Sequence, residues 1–161
     1  MEVGLIGSRF EERGLSYLPV GRDFIRLVVA PTHVWARLGA ITPSDLLSQP
    51  LILREAGSGT GKTVGEALRR AGLDTAKLQM RAEVGSTEAV KAAVAAGVGA
   101  AFLSEFAIRK ELERGDVATV DVEGLSIERA FYLVRRTTRE PSPAAQAFCD
   151  FMCAACGQPP V

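Results

Sequence analysis

Short apolar runs alternate with stretches of helical period along the chain. "VGLIG" at 3–7, "FIRLVVA" at 24–30, "LILR" at 51–54, "LQMRAEV" at 78–84, "VGAAFL" at 98–103, "VATVDV" at 117–122 and "AFYLVR" at 130–135 read as strands. Strands separated by helical segments imply an α/β fold. After residue 63, Val64, Ala67, Leu68 and Ala71 recur at i, i+3, i+4 and i+7, which gives one buried stripe and leaves Glu66, Arg69 and Arg70 to solvent. In "EAVKAAVAAG" at 88–97, Val90, Ala93 and Val94 share a face, and the surrounding alanines let the helix approach its sheet closely.

Start and stop signals frame these helices. Thr42 before Pro43 and Ser142 before Pro143 place a capping hydroxyl ahead of a proline in the first helical position, and Gly72 and Gly115 stand where a left-handed C-terminal residue is needed. Gly97 and Gly99 fit a tight helix-to-strand turn. No internal repeat is evident, and only the tail "GQPPV" has a disordered composition.

The 161 residues are 47% hydrophobic, enough for one core or two small lobes. Lys plus Arg and Asp plus Glu balance at 19 each with no long basic run, so no electrostatic footprint for nucleic acid is present and direct contact with it by this chain is not expected. No window approaches the roughly 20 apolar residues of a membrane span, and charges interrupt the N-terminus where a signal peptide would need a continuous apolar segment. Three cysteines crowded at the C-terminus do not make a secreted disulfide framework, so a cytoplasmic location is expected.

Residues 54–63, "REAGSGTGKT", carry the most suggestive chemistry. The segment follows an apolar run and precedes a helix, and three readings fit it. In the first, a relaxed phosphate-binding loop with Ala56 for its first glycine would use Lys62 on phosphate, Thr63 on Mg²⁺ and Asp121 as second carboxylate, giving a nucleotide hydrolase. In the second, the segment is a turn that binds nothing. In the third, Ser58 and Thr60 at a helix start offer hydroxyls and free N–H donors to a carboxylate, sulfate or phosphate. A second such start follows in "EVGSTEAV", where Ser86 is a candidate cap and Glu88 lies in the first turn. At the carboxyl ends of parallel strands, two such starts would border a small-molecule crevice.

Other constellations are weaker. Cys149, Cys153 and Cys156 share a C-x3-C-x2-C spacing, but Phe148, Phe151, Met152 and Ala155 make a helical core stripe through the same segment, so the thiols are expected to flank that stripe and no metal site is assigned. His33 is the only histidine and is expected to be a structural loop residue. "RKELERGD" at 109–116 reads as a solvated helix face.

Five segments in order resemble the effector-binding domain of LysR-type transcriptional regulators: "VGRDFIRLVVAPTHVWAR" at 20–37, "ITPSDLLSQPLILREAGSGT" at 41–60, "VGSTEAVKAAVAAGVGAAFLSEFAIRKELERGDV" at 84–117, "FYLVRR" and "SPAAQAFCDFM". The resemblance implies a type 2 periplasmic-binding-protein-like fold, with 26–124 as a nearly complete lobe II and 1–25 with 125–161 as part of lobe I. It implies a non-catalytic sensor without a cofactor, a homodimer, whose DNA-binding helix-turn-helix is not on this chain. A small organic anion effector would touch Ser58, Gly59 and Thr60 at one helix start and Ser86 and Thr87 at the other. Gly61 stands where the family usually has arginine, with Lys62 one residue later. A structural or dimerising fragment without a competent cleft remains the alternative reading, and a nucleotide hydrolase the more distant one.

Overall fold

In the computed structural model, residues 2–7, 9, 12–55, 57–138 and 140–157 are described. The chain divides into one unit of Met1–Asp23 with Arg129–Val161 and another of Phe24–Glu128. In the first unit, β1 (Val3–Ile6) pairs antiparallel with β8 (Ile127–Arg136), from Val3 opposite Arg135 to Ile6 opposite Tyr132. The first half of β2 (Leu15–Val29) lies on the other side of β8.

The second unit is built on a mixed sheet in the order β3-β7-β2-β6-β4-β5. The later half of β2 pairs antiparallel with β6 (Ala100–Ser104) and with β7 (Ala118–Val122), which carries the two-residue β3 (Ala40–Ile41) on its far side. On the other flank, β4 (Leu51–Arg54) runs parallel to both β6 and β5 (Met80–Val84). Helices α1 (Val34–Leu38), α2 (Gly59–Arg70), α3 (Thr87–Ala95) and α4 (Glu105–Arg114) connect these strands.

Both faces of this sheet are covered, which is why its central strands read as unbroken apolar runs. Ile25, Leu27, Val29, Leu51 and Phe102 join Trp35, Val64 and Leu68 in one core. Their strand neighbours Val28, Ile52, Ala101 and Leu103 join Val90, Val94 and Ile108 in the other. The strand period of two therefore assigns alternate residues to separate cores.

Gly72, Gly97 and Gly115 all have φ between +74° and +81°, as the helix ends require. Gly99 has a different reason to be glycine: a Cβ there would stand 2.7 Å from the Pro50 carbonyl oxygen, which already accepts a hydrogen bond from the Ala100 amide at 3.0 Å.

Several sequence expectations change. The strand expected at 24–30 begins at Leu15, running through Pro19 and Gly21; over this half β8 is its only strand neighbour among the described residues, and an edge tolerates a residue with no N–H to donate. Ala71, expected in the buried stripe of α2, is exposed as its C-cap, and Leu73 is buried instead. Residues 158–161 of the tail expected to be disordered lie outside the described residues.

The largest correction is in α5 (Pro143–Ala155). Ser142 caps it as expected, its hydroxyl accepting from the Ala145 amide, but the buried stripe is Ala145, Cys149 and Cys153. Phe148 and Phe151 are exposed, the latter by 68%. Small side chains at i, i+4 and i+8 make this the narrow face of the helix, and the Cys156 thiol lies 2.9 Å from the Val20 carbonyl oxygen as its donor. The bulkier apolar stripe is the one turned outward.

Candidate functional site

Two helix starts open at the carboxyl ends of adjacent parallel strands in the Phe24–Glu128 unit. β4 ends at Arg54, and after a short turn Ser58 caps α2, its Oγ accepting from the Gly61 amide at 3.4 Å. β5 ends at Val84, and Ser86 caps α3 in the same way through the Ala89 amide at 3.4 Å. Each cap satisfies one of the unpaired N–H groups of its first turn, and the positive dipole end remains.

The candidate residues differ in setting. Ser58 and Thr60 are buried, Gly59 opens α2, Ser86 is exposed and Thr87 is half-buried.

Arg54 links the two starts and was not singled out by sequence. Its Nη1 donates to the Thr87 hydroxyl at 2.7 Å and its Nη2 to the Gly85 carbonyl oxygen at 3.2 Å. The Nε and Nη2 groups also donate to the two carboxylate oxygens of Glu55, both at 2.9 Å, a planar fork only arginine supplies. Those hydrogen bonds hold the Glu55 carboxyl below its ordinary pKa. The signal available in sequence was an arginine ending an apolar strand directly before the glycine-rich loop.

Beside this edge a cleft of about 350 Å³ follows the flank of α2. Thr60, Gly61 and Lys62 line its upper part with Arg54 and Glu55, and Ser58, Gly59, Ser86 and Thr87 do not line it. Gly61 has room for a side chain, since a Cβ would meet only ordinary contacts of 3.4 Å or more with Arg54 and Glu55.

The nucleotide-hydrolase arrangement is not assembled. Asp121 lies on β7, three strands from β4, a separation of roughly 14 Å at about 4.8 Å per strand, and it faces Arg26 at 3.8 Å. The Thr63 hydroxyl turns back to donate to the Gly59 carbonyl oxygen at 2.9 Å, and Ala56 lies outside the described residues. His33, expected in a loop, caps α1: its Nδ1 accepts from the Trp35 amide at 3.1 Å and its ring packs edge-on against Trp35, a structural place in which burial lowers its pKa.

The face expected to be solvated at 109–116 also has an exception. Glu111 receives the Lys91 ammonium at 2.8 Å, tying α4 to α3 one turn below Thr87, while Lys91 also donates to Glu88 and to the Ala107 carbonyl oxygen.

Residues 1–157 match the family described as LysR substrate binding domain. A probable RuBisCO transcriptional regulator of Cyanidioschyzon merolae is 40% identical over 138 residues, 86% of this chain and 46% of that protein. The phosphonates import ATP-binding protein PhnC of Anaeromyxobacter dehalogenans is 40% identical over 152 residues, 93% of this chain and 30% of that protein. The chain thus spans less than half the length of these curated relatives. Among solved structures, the Synechocystis PCC6803 CcmR regulatory domain in complex with 2-PG superposes with a TM-score of 0.86 and 28% identity, over 99% of this chain and 76% of that one. No helix among the described residues is long and apolar enough to cross a membrane. With the type 2 periplasmic-binding-protein-like fold and the matched family in agreement, this chain belongs to the LysR substrate-binding domain family, the effector-binding module of LysR-type transcriptional regulators.

Proposed function

We propose that the domain binds a small organic anion at the edge where α2 and α3 begin, through Ser58, Gly59 and Thr60 at one start and Ser86 and Thr87 at the other. The observation that carries this reading is Arg54, whose guanidinium, paired with Glu55, spans from the α2 loop to Thr87 and Gly85 and so joins two positive helix starts into one edge. The CcmR regulatory domain in complex with 2-PG supports a small-molecule ligand. In the parent protein, binding would bias a DNA-binding segment by stabilising one arrangement over another, which requires unequal affinity for the two. A match to 30% of PhnC does not say which part of that protein binds ATP, and it adds nothing for hydrolysis here.

The same reading makes residues 26–124 lobe II and residues 1–25 with 125–161 part of lobe I, in a cytoplasmic, non-catalytic homodimer without direct nucleic-acid contact. Balanced charge supports the last point, and the apolar surface of Phe148 and Phe151 supports pairing. The test is thermal melting against a panel of small carboxylates and phosphate esters. At least one should raise the melting temperature by several degrees, and Ser58→Ala with Thr60→Ala should remove most of that rise. A panel without effect, or a rise untouched by the double substitution, refutes the assignment.

A further inference from the structure

The cleft along α2 has a chemistry that the helix starts do not explain. It descends from Thr60 to Arg69, about 14 Å along the helix, away from the α3 start. Leu53, Leu68, Leu78 and Phe102 give it apolar walls, and its volume of 350 Å³ falls in the range of about 300–1,000 Å³ usual for small-molecule sites. Lys62 and Arg69 stand along one edge, seven residues apart and therefore on one face of α2. Neither has a carboxylate partner among the described residues, whereas the third cation of the cleft, Arg54, is engaged by Glu55. At Gly65, between the two cations, an added Cβ would meet nothing nearer than the Arg69 guanidinium at 4.0 Å.

We infer that this cleft is a second ligand site, selective for an elongated organic anion with an apolar body, of the aromatic carboxylate class. The body would lie against Leu53, Leu68 and Leu78, and the anionic group would be held by Lys62 and Arg69. Apolar walls alone would accept a neutral ring, and exposed cations alone would accept any small anion; their combination selects a molecule with both parts. Because Arg54 borders the cleft and also holds Thr87, a ligand there contacts the residue that joins the two helix starts.

The test is titration of the intact chain with 2-naphthoate, followed in amide proton–nitrogen spectra, beside 2-naphthamide and inorganic phosphate. Saturable binding should move the amides of Gly61, Gly65 and Leu78. Lys62→Ala with Arg69→Ala, both at exposed positions, should weaken it at least fivefold, and the amide and phosphate should each bind at least fivefold more weakly than the acid. Leu78→Trp, which fills the cleft, should abolish binding; if that variant does not fold, the exposed double variant decides. Absence of saturable binding at millimolar concentration, equal affinity in the double variant, or equal binding of the amide overturns the inference. So does a shift map confined to Ser86 and Thr87, which do not line the cleft and would place the anion at the helix starts instead.

Discussion

Asp23 and Arg129 face each other at the two positions where the chain passes between its units. The guanidinium donates from Nε at 2.8 Å and from Nη2 at 2.7 Å to one carboxylate oxygen of Asp23, whose side chain is fully buried. Arg129 also stacks over Phe131, 4.8 Å from the ring centroid. Removing one member of a buried pair strands the other's charge, at a cost of about 3–5 kcal/mol. Arg129→Met should destabilise the domain by about that amount in urea melts. Combined with Asp23→Leu, it should cost less than the two single changes added together, since neither member of this pair is left without the other.

Two glycines should respond in opposite directions. Gly65 lies inside α2 with open space around its missing Cβ, so Gly65→Ala should stabilise by about 1 kcal/mol, the ordinary propensity difference in a helix interior. Gly99→Ala should destabilise by about 1–3 kcal/mol, because its Cβ would fall within 2.7 Å of the Pro50 backbone oxygen and displace a strand already held there. Paired thermal melts check both.

The Lys91 and Glu111 pair should make stability depend on pH at both extremes. The Lys91 hydrogen bond lowers the Glu111 pKa, so its contribution is present above the ordinary glutamate value of about 4.3 and is lost as pH falls through the depressed one. The Glu111 hydrogen bond raises the Lys91 pKa, so that contribution is present below about 10.4 and is lost as pH rises through the elevated value. Neutral pH lies on the plateau between. Lys91→Met should flatten the decline in melting temperature between about pH 5 and pH 3 relative to the parent chain.

The three thiols should separate by reactivity. Cys149 is fully buried, and that burial pushes its thiol pKa up, so less of the reactive thiolate is present at neutral pH. Cys153 is buried and Cys156 only partly so. Iodoacetamide on the folded protein, read by peptide mass spectrometry, should modify Cys156 first and Cys149 only on unfolding.

Local sequence signals located most of the second unit, since caps, αL glycines and apolar runs depend on near neighbours. Ser86 and Ser142 cap the helices they were expected to cap, Ser58 caps α2, and both candidate helix starts lie at the ends of adjacent parallel strands. What escaped was decided by distant partners. Nothing near Arg54 announces that Thr87, 33 residues away, will receive it, and Glu111 looks like any surface glutamate until α3 brings Lys91 to it. The α5 stripe misled for a related reason: apolar bulk favours Phe148 and Phe151, while the face in contact is the one whose small residues permit close approach.

Both boundaries between the units fall within continuous strands, Asp23/Phe24 inside β2 and Glu128/Arg129 inside β8. Anyone wishing to express one unit without the other therefore has no linker to cut. Severing the chain at either place would interrupt a strand and leave unpaired edges on the pieces, so the practical units of dissection are the whole segment and single side chains.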